Sequence, residues 1–118
     1  MSAAGREAVN TICGAFPGAE KSDPWGGGHD AWKVGGKMFA CIGAMGDGVS
    51  VKCADIEMAS VLIESGSARR APYFHKSWVR LDWDTPQDDM RHRLGQSYDL
   101  VRSKLTKKLQ ASLPEREV

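Results

Sequence analysis

The groups in this chain able to ligate a metal or move a proton are few and scattered. His29, His75 and His92 lie far apart, with no second histidine at ligand spacing. His29-Asp30 would be half of a metal pair at best, and a solvated loop histidine is the simpler account. Cys13, Cys41 and Cys53 are odd in number and show no C-x-x-C spacing. They point neither to a disulfide framework nor to zinc. They read as reduced thiols filling a core, which fits a cytoplasmic protein. No cysteine stands beside a plausible base. Gly26-Gly27-Gly28 has no strand before it and no helix directly after, so it is not expected to cradle a phosphate. Asp82, Asp84, Asp88 and Asp89 look superficially like a cation cluster. Turn, cap and first-turn positions of a following helix account for them. The residues therefore predict no catalytic centre, no metal and no cofactor, and the chain is not expected to be an enzyme.

What remains is charge. The net charge is only +1, but its distribution is uneven. Residues 65–81 hold Arg69, Arg70, Lys76 and Arg80 and no acid, and residues 90–108 hold six bases against Asp99 alone. Residues 1–64 carry five bases against eight acids. A basic second half makes a surface, rather than a pocket, the first functional candidate.

The elements that would build that surface are legible from periodicity. In 25–53, three β-favouring runs at 31–34, 37–43 and 49–53 are separated by Gly35-Gly36 and by the glycine-rich stretch 44–48. Two glycines can both take positive φ, as a tight hairpin loop requires. The spacing predicts a three-stranded antiparallel meander in which Val34 pairs with Lys37 and Trp32 faces Phe39. A second loop centred on Gly46 would pair Cys41 with Val51 and Phe39 with Cys53. Alternation then sends Trp32, Val34, Phe39, Cys41, Val49, Val51 and Cys53 inward. It sends Ala31, Lys33, Met38, Ala40, Ile42, Ser50 and Lys52 outward. Residues 78–83 alternate likewise, with Val79, Leu81 and Trp83 inward and Trp78, Arg80 and Asp82 outward.

Helices frame the strands. Val9, Ile12, Cys13 and Phe16 make one stripe on a helix over 3–16, stopped by Pro17-Gly18. Residues 17–30 read as a loop. Asp55 is placed to cap a helix carrying Ile56, Ala59, Leu62 and Ile63, and 71–74 reads as a short strand. Asp84 or Thr85 would cap a last helix over 86–111, with Pro86 in its first position and Leu94, Tyr98, Val101, Leu105 and Leu109 as its stripe. Leu100 falls near the polar side of that helix without explanation.

The order, α-β-β-β-α-β(β)-α, predicts an α+β two-layer sandwich, an antiparallel sheet with helices on one face. At 118 residues the chain should be one domain over 1–113, followed by a frayed polar tail at 114–118. No apolar run is long enough to span a membrane, and the N-terminus lacks a secretory pattern. A monomer is expected.

The outer sheet face would then combine Lys33, Lys52 and Arg80 with Trp78, Met38 and Ile42. Lys37 at the first hairpin, and Arg69, Arg70 and Lys76 in the later loop, would lie at its margin. Cations give salt-dependent contact to phosphates, and an aromatic can stack on a base. The plainer reading is a solvated face whose lysines shield an edge.

The sequence also resembles a known family. The segments Phe16-Pro17-Gly18-Ala19-Glu20, Pro24-Trp25-Gly26, Trp32-Lys33-Val34-Gly35-Gly36-Lys37-Met38-Phe39-Ala40 and Val51-Lys52-Cys53 are similar to the MmcQ/YjbR family of small bacterial proteins. So are Ala71-Pro72-Tyr73-Phe74, Lys76-Ser77-Trp78-Val79 and Ser97-Tyr98-Asp99-Leu100-Val101. The resemblance covers nearly the whole chain. It implies a fold like that of bacterial frataxin and DNA binding through a double-wing arrangement of β-hairpins. It supplies no catalytic residues. A small DNA-binding module making weak, largely sequence-independent contact is thus the first expectation. A protein-interaction module using the same sheet face comes second. Frataxin-type iron binding comes last, because the first helix carries a single acid, Glu7, where hard cations want several carboxylates.

Overall fold

The computed structural model describes residues 2–23, 26–43, 48–72 and 74–116. Along the chain come α1 (Ser2–Gly14), β1 (Ala19–Ser22), β2 (Asp30–Val34), β3 (Lys37–Ile42), β4 (Val49–Lys52), α2 (Ile56–Glu64), β5 (Arg69–Arg70), β6 (Trp78–Leu81), α3 (Gln87–Arg102) and α4 (Lys107–Ser112). The strands form one antiparallel sheet in the order β1-β2-β3-β4-β6-β5. The α+β class and the helix-covered face agree with the sequence reading. The expected second turn at 44–47, and Trp25 and Tyr73 of the family motifs, lie outside the described residues.

Gly35 and Gly36 take φ of 58° and 81°, so the β2–β3 turn is built as the two glycines require. Val34 pairs with Lys37 and Lys33 with Met38, but Trp32 then pairs with Ala40. Phe39 is left over as a β-bulge, and every residue after it changes face relative to unbroken alternation. Ala40 and Ile42 therefore turn toward the helices and Cys41 toward the open face, opposite to the sequence expectation. The β3–β4 register moves with them: Ala40 pairs with Val51 and Cys41 with Ser50, in place of Cys41 with Val51 and Phe39 with Cys53. Two rows, Ala40–Val51–Val79 and Ile42–Val49–Leu81, floor the core, and all six residues are buried.

Phe39 fills the centre of that core. Its ring sits 5.3 Å from that of Tyr98, edge-on, and 5.9 Å from Phe16, which is 4.9 Å from Tyr98. The apolar stripes of α1 and α3 thus close over the bulge. Burying Val9, Ile12, Cys13, Leu94 and Val101 beside these rings is what holds the helix layer on the sheet.

Two strands escaped the sequence pattern. β1 is Ala-Glu-Lys-Ser, a polar edge strand with no apolar alternation, inside the expected loop 17–30. β5 is Arg69–Arg70, not 71–74. The helix termini also differ in detail. Asp55 caps α2 as expected, accepting the Met58 amide at 2.8 Å. The cap of α3 is Pro86 itself, with no side-chain bond. The expected helix 86–111 is two helices, because the Thr106 hydroxyl accepts the Leu109 amide at 3.2 Å and starts α4 afresh. The break seats Leu105 against the β2–β3 tip, where a Cβ on Gly35 would meet its side chain at 2.8 Å. It leaves Leu109 exposed and Leu100 half-buried.

Residues 114–116, frayed by the sequence reading, are tied down. Arg102 donates to the carbonyls of Leu113 and Pro114 at 3.0 and 2.7 Å. Arg116 bonds Asp99 twice, at 2.9 and 2.6 Å, and its guanidinium lies over the Phe16 ring. Among the described residues no helix is long and apolar enough to cross a membrane.

Candidate nucleic-acid interface

The sheet face away from the helices is read from its registers. One cross-strand row runs Ser22–Ala31–Cys41–Ser50–Arg80–Arg69. Beside it, Glu20 pairs with Lys33 and Lys33 with Met38, while on the far side of the bulge Lys52 pairs with Trp78. Ala31, Cys41 and Ser50 are small and buried, so they form a low floor between longer flanking side chains.

Of the eight residues expected at the site, five share this face: Lys33, Lys52, Arg69, Trp78 and Arg80. Lys33, Lys52 and Arg80 are half-buried. Arg69 is exposed and bonds Asp82 at 2.9 Å. Lys76 is exposed in the loop just before β6. The other two turn away. Lys37 stands opposite Val34 and Arg70 opposite Val79, so both carry the parity of the helix-facing side, although both are exposed. Among the described strand residues Glu20 is the carboxylate at this face, and Asp82, directly after β6, is bound to Arg69.

Trp78 differs most from expectation. Its side chain lies on the open face, yet the residue is only 9% exposed. The Phe74 ring stacks on it, 4.8 Å between centroids and 20° between planes. The loop carrying Phe74 is pinned at several points. The His75 imidazole meets Ser77 through Nδ1, 3.1 Å from the Ser77 amide and 2.9 Å from its hydroxyl. The Trp78 amide donates to the His75 carbonyl at 2.8 Å, and the Cys53 amide to the Ser77 carbonyl at 2.7 Å.

One residue that sequence reasoning missed positions this face from behind. Ser97 of α3, fully buried, donates its hydroxyl to the Phe39 carbonyl at 2.6 Å and accepts the Lys52 amide at 2.9 Å. The signal was a lone serine beside the apolar stripe of α3, between Leu94 and Val101.

Asp30 and Asp23, on either side of the glycine loop, are engaged in hydrogen bonds. Asp30 is held by Arg6 and Asn10, both at 2.9 Å, and Asn10 also accepts the Trp32 indole N–H at 2.8 Å. Burial pushes the Asp30 carboxyl up, but hydrogen bonds from Asn10 and Arg6 and the charges of Arg6 and Lys21 outweigh it and leave it below the usual carboxylate range. Asp23 accepts the amides of Gly28 and His29 at 3.0 and 3.2 Å, which shapes the glycine loop from within. Among the described residues no three His, Cys, Asp or Glu side chains gather as metal ligands.

Comparison with known proteins places this geometry in context. The family model described as YjbR matches residues 14–100. The crystal structure of a Deinococcus radiodurans protein with a DUF419 domain superposes with a TM-score of 0.80 at 23% identity, over 91% of this chain and 86% of that one. That likeness shows the fold. No curated protein matches the sequence.

Proposed function

The chain belongs to the YjbR family, and from that premise we propose that it is a DNA-binding module that meets the phosphate backbone with the open face of its sheet. The carrying observation is the convergence of Lys33, Lys52, Arg69 and Arg80 on one face of the sheet, with Lys76 beside it. Long cationic side chains standing around a low floor of Ala31, Cys41 and Ser50 suit a charged, extended polymer better than a small molecule. Lys37, exposed at the β2–β3 hairpin, and Arg70, at the sheet edge, supply charge at the rim. Phosphate contacts position a protein without reading bases, so affinity is weak and nearly independent of sequence. In this reading the protein works in the cytoplasm as a monomer, as a binder rather than an enzyme, and without a cofactor.

A protein partner on the same face is the lesser reading. The exposed large apolar residues among those described are Ile56, Met58, Val61 and Leu109, all on helices and none on the open sheet face. A protein-docking face of ordinary kind would carry such residues.

The test is fluorescence anisotropy with labelled DNA at increasing salt. With three to five phosphates neutralised, log affinity falls against log salt with a slope of about −3 to −5, at about −0.9 per phosphate on duplex. Absence of binding to any DNA at about 50 mM salt overturns the proposal.

A further inference from the structure

The aromatic pair on the open face selects among forms of DNA. We infer that Phe74 is a stacking platform for an unpaired base, and that the ligand is therefore single-stranded DNA in preference to duplex; this rests on the DNA-binding reading above. Trp78 cannot serve that role, because it is buried and the Phe74 ring covers it in parallel at 4.8 Å. Phe74 is only half-buried where Trp78 is buried, so Phe74 is the outer member of the stack. The Phe74 amide donates to the Ala71 carbonyl at 3.3 Å, and the bonds from His75, Ser77 and Trp78 fix the loop on its other side. The ring is thus held in place before any ligand arrives, so little side-chain entropy is lost on stacking.

Two cations accompany the aromatic pair. Lys52 is paired with Trp78 across the sheet, and Lys76 is in the same loop, two residues from each ring. An aromatic ring flanked by cations is the arrangement that holds single strands without regard to sequence. Duplex DNA offers no base face to such a ring, since its bases are stacked on one another. It would engage the cations alone.

The experiment compares a labelled oligothymidylate of about 15 nucleotides, near the span such surfaces cover, with a duplex of equal length. Both are titrated with the wild type and with Phe74→Leu, which keeps an apolar cover on Trp78. Thermal melting of the variant checks that the fold survives. The wild type should bind the single strand more tightly. Phe74→Leu should lose about tenfold on the single strand, the scale of one lost base stack, and almost nothing on duplex. Equal wild-type affinity for the two forms, or an unchanged single-strand affinity in a folded Phe74→Leu, overturns the inference while leaving salt-dependent DNA binding intact. Failure of both DNAs to bind overturns the inference together with the reading beneath it.

Discussion

The hydroxyl of Ser97 donates to the carbonyl of Phe39 at 2.6 Å, at the residue where the β2–β3 pairing slips by one. The β3–β4 ladder stops one step short of this point, at Ala40 and Val51. Ser97 fills the gap by taking the Lys52 amide as well, at 2.9 Å. One side chain from the helix layer thereby satisfies a buried acceptor and a donor that the bulge would otherwise orphan. Because Lys52 faces the open side, the same bond also anchors the backbone of a proposed DNA contact.

Ser97→Ala should accordingly destabilise the fold by about 1–3 kcal/mol, the cost of leaving buried polar groups unsatisfied. Urea unfolding followed by tryptophan fluorescence measures it. A midpoint unchanged from the wild type would mean that the Phe39 carbonyl and the Lys52 amide find other partners.

Why the bulge was not readable follows from the composition of β3. After Lys37 the run Met-Phe-Ala-Cys-Ile is apolar at every position. Period-two alternation fixes a register only where the two faces differ in polarity. The hairpin end was readable because Gly35-Gly36 dictates its own turn, and the faces of β4 and β6 were readable because Ser50, Lys52 and Arg80 interrupt their apolar residues. The same logic explains the exposed margins of the site. Lys33, Lys52 and Arg80 came out on one face as alternation predicts. Lys37 and Arg70 carry the other parity: Lys37 because the Gly35-Gly36 turn pairs it with inward-facing Val34, as the hairpin spacing predicts, and Arg70 because a two-residue edge strand shows too little pattern to read. The burial of Trp78 depends on Phe74, a loop contact that no periodicity encodes.

The Asp30 cluster predicts an acid-sensitive contribution. Its carboxyl titrates below the unfolded range, near 3.9 for an aspartate, so the stability it adds is fully present above that value. It is lost as pH falls through the lower folded value. Asp30→Asn should therefore be less stable than the wild type at neutral pH, and the difference should shrink as pH drops below about 4. Denaturation midpoints for both proteins across the acid range check this. A constant difference down to the lowest pH would show that Arg6, Asn10 and Lys21 do not favour the charged carboxylate.

All three thiols should be silent in the native state. Cys13, Cys41 and Cys53 are buried, and burial pushes each thiol upward, away from the reactive thiolate. Cys41 is the informative one, since the bulge turns it to the open face, where it lies under its neighbours at 4% exposure. Labelling with a disulfide reagent at mildly alkaline pH should be slow until denaturant is added. Rapid modification of one thiol in the folded protein, located by mass spectrometry at Cys41, would mean that the floor of the open face is accessible after all.

The proposed interface makes a spatial prediction that net charge alone does not. Lys33→Glu combined with Lys52→Glu reverses two cations on the open face. Lys107→Glu combined with Lys108→Glu makes the same change in net charge on α4, which takes no part in that face. If phosphates lie on the sheet, the first pair should weaken DNA binding strongly and flatten the salt dependence by about two units of slope, at about −0.9 per lost phosphate contact. The second pair should leave the slope unchanged and weaken binding only through long-range repulsion, which salt screens over about 10 Å at 0.1 M. Anisotropy titrations at several salt concentrations separate the two effects, because a lost contact changes the slope whereas diffuse repulsion fades as salt rises. Equal losses from both pairs would locate no interface on the sheet and would reduce the DNA affinity to a general attraction for cations.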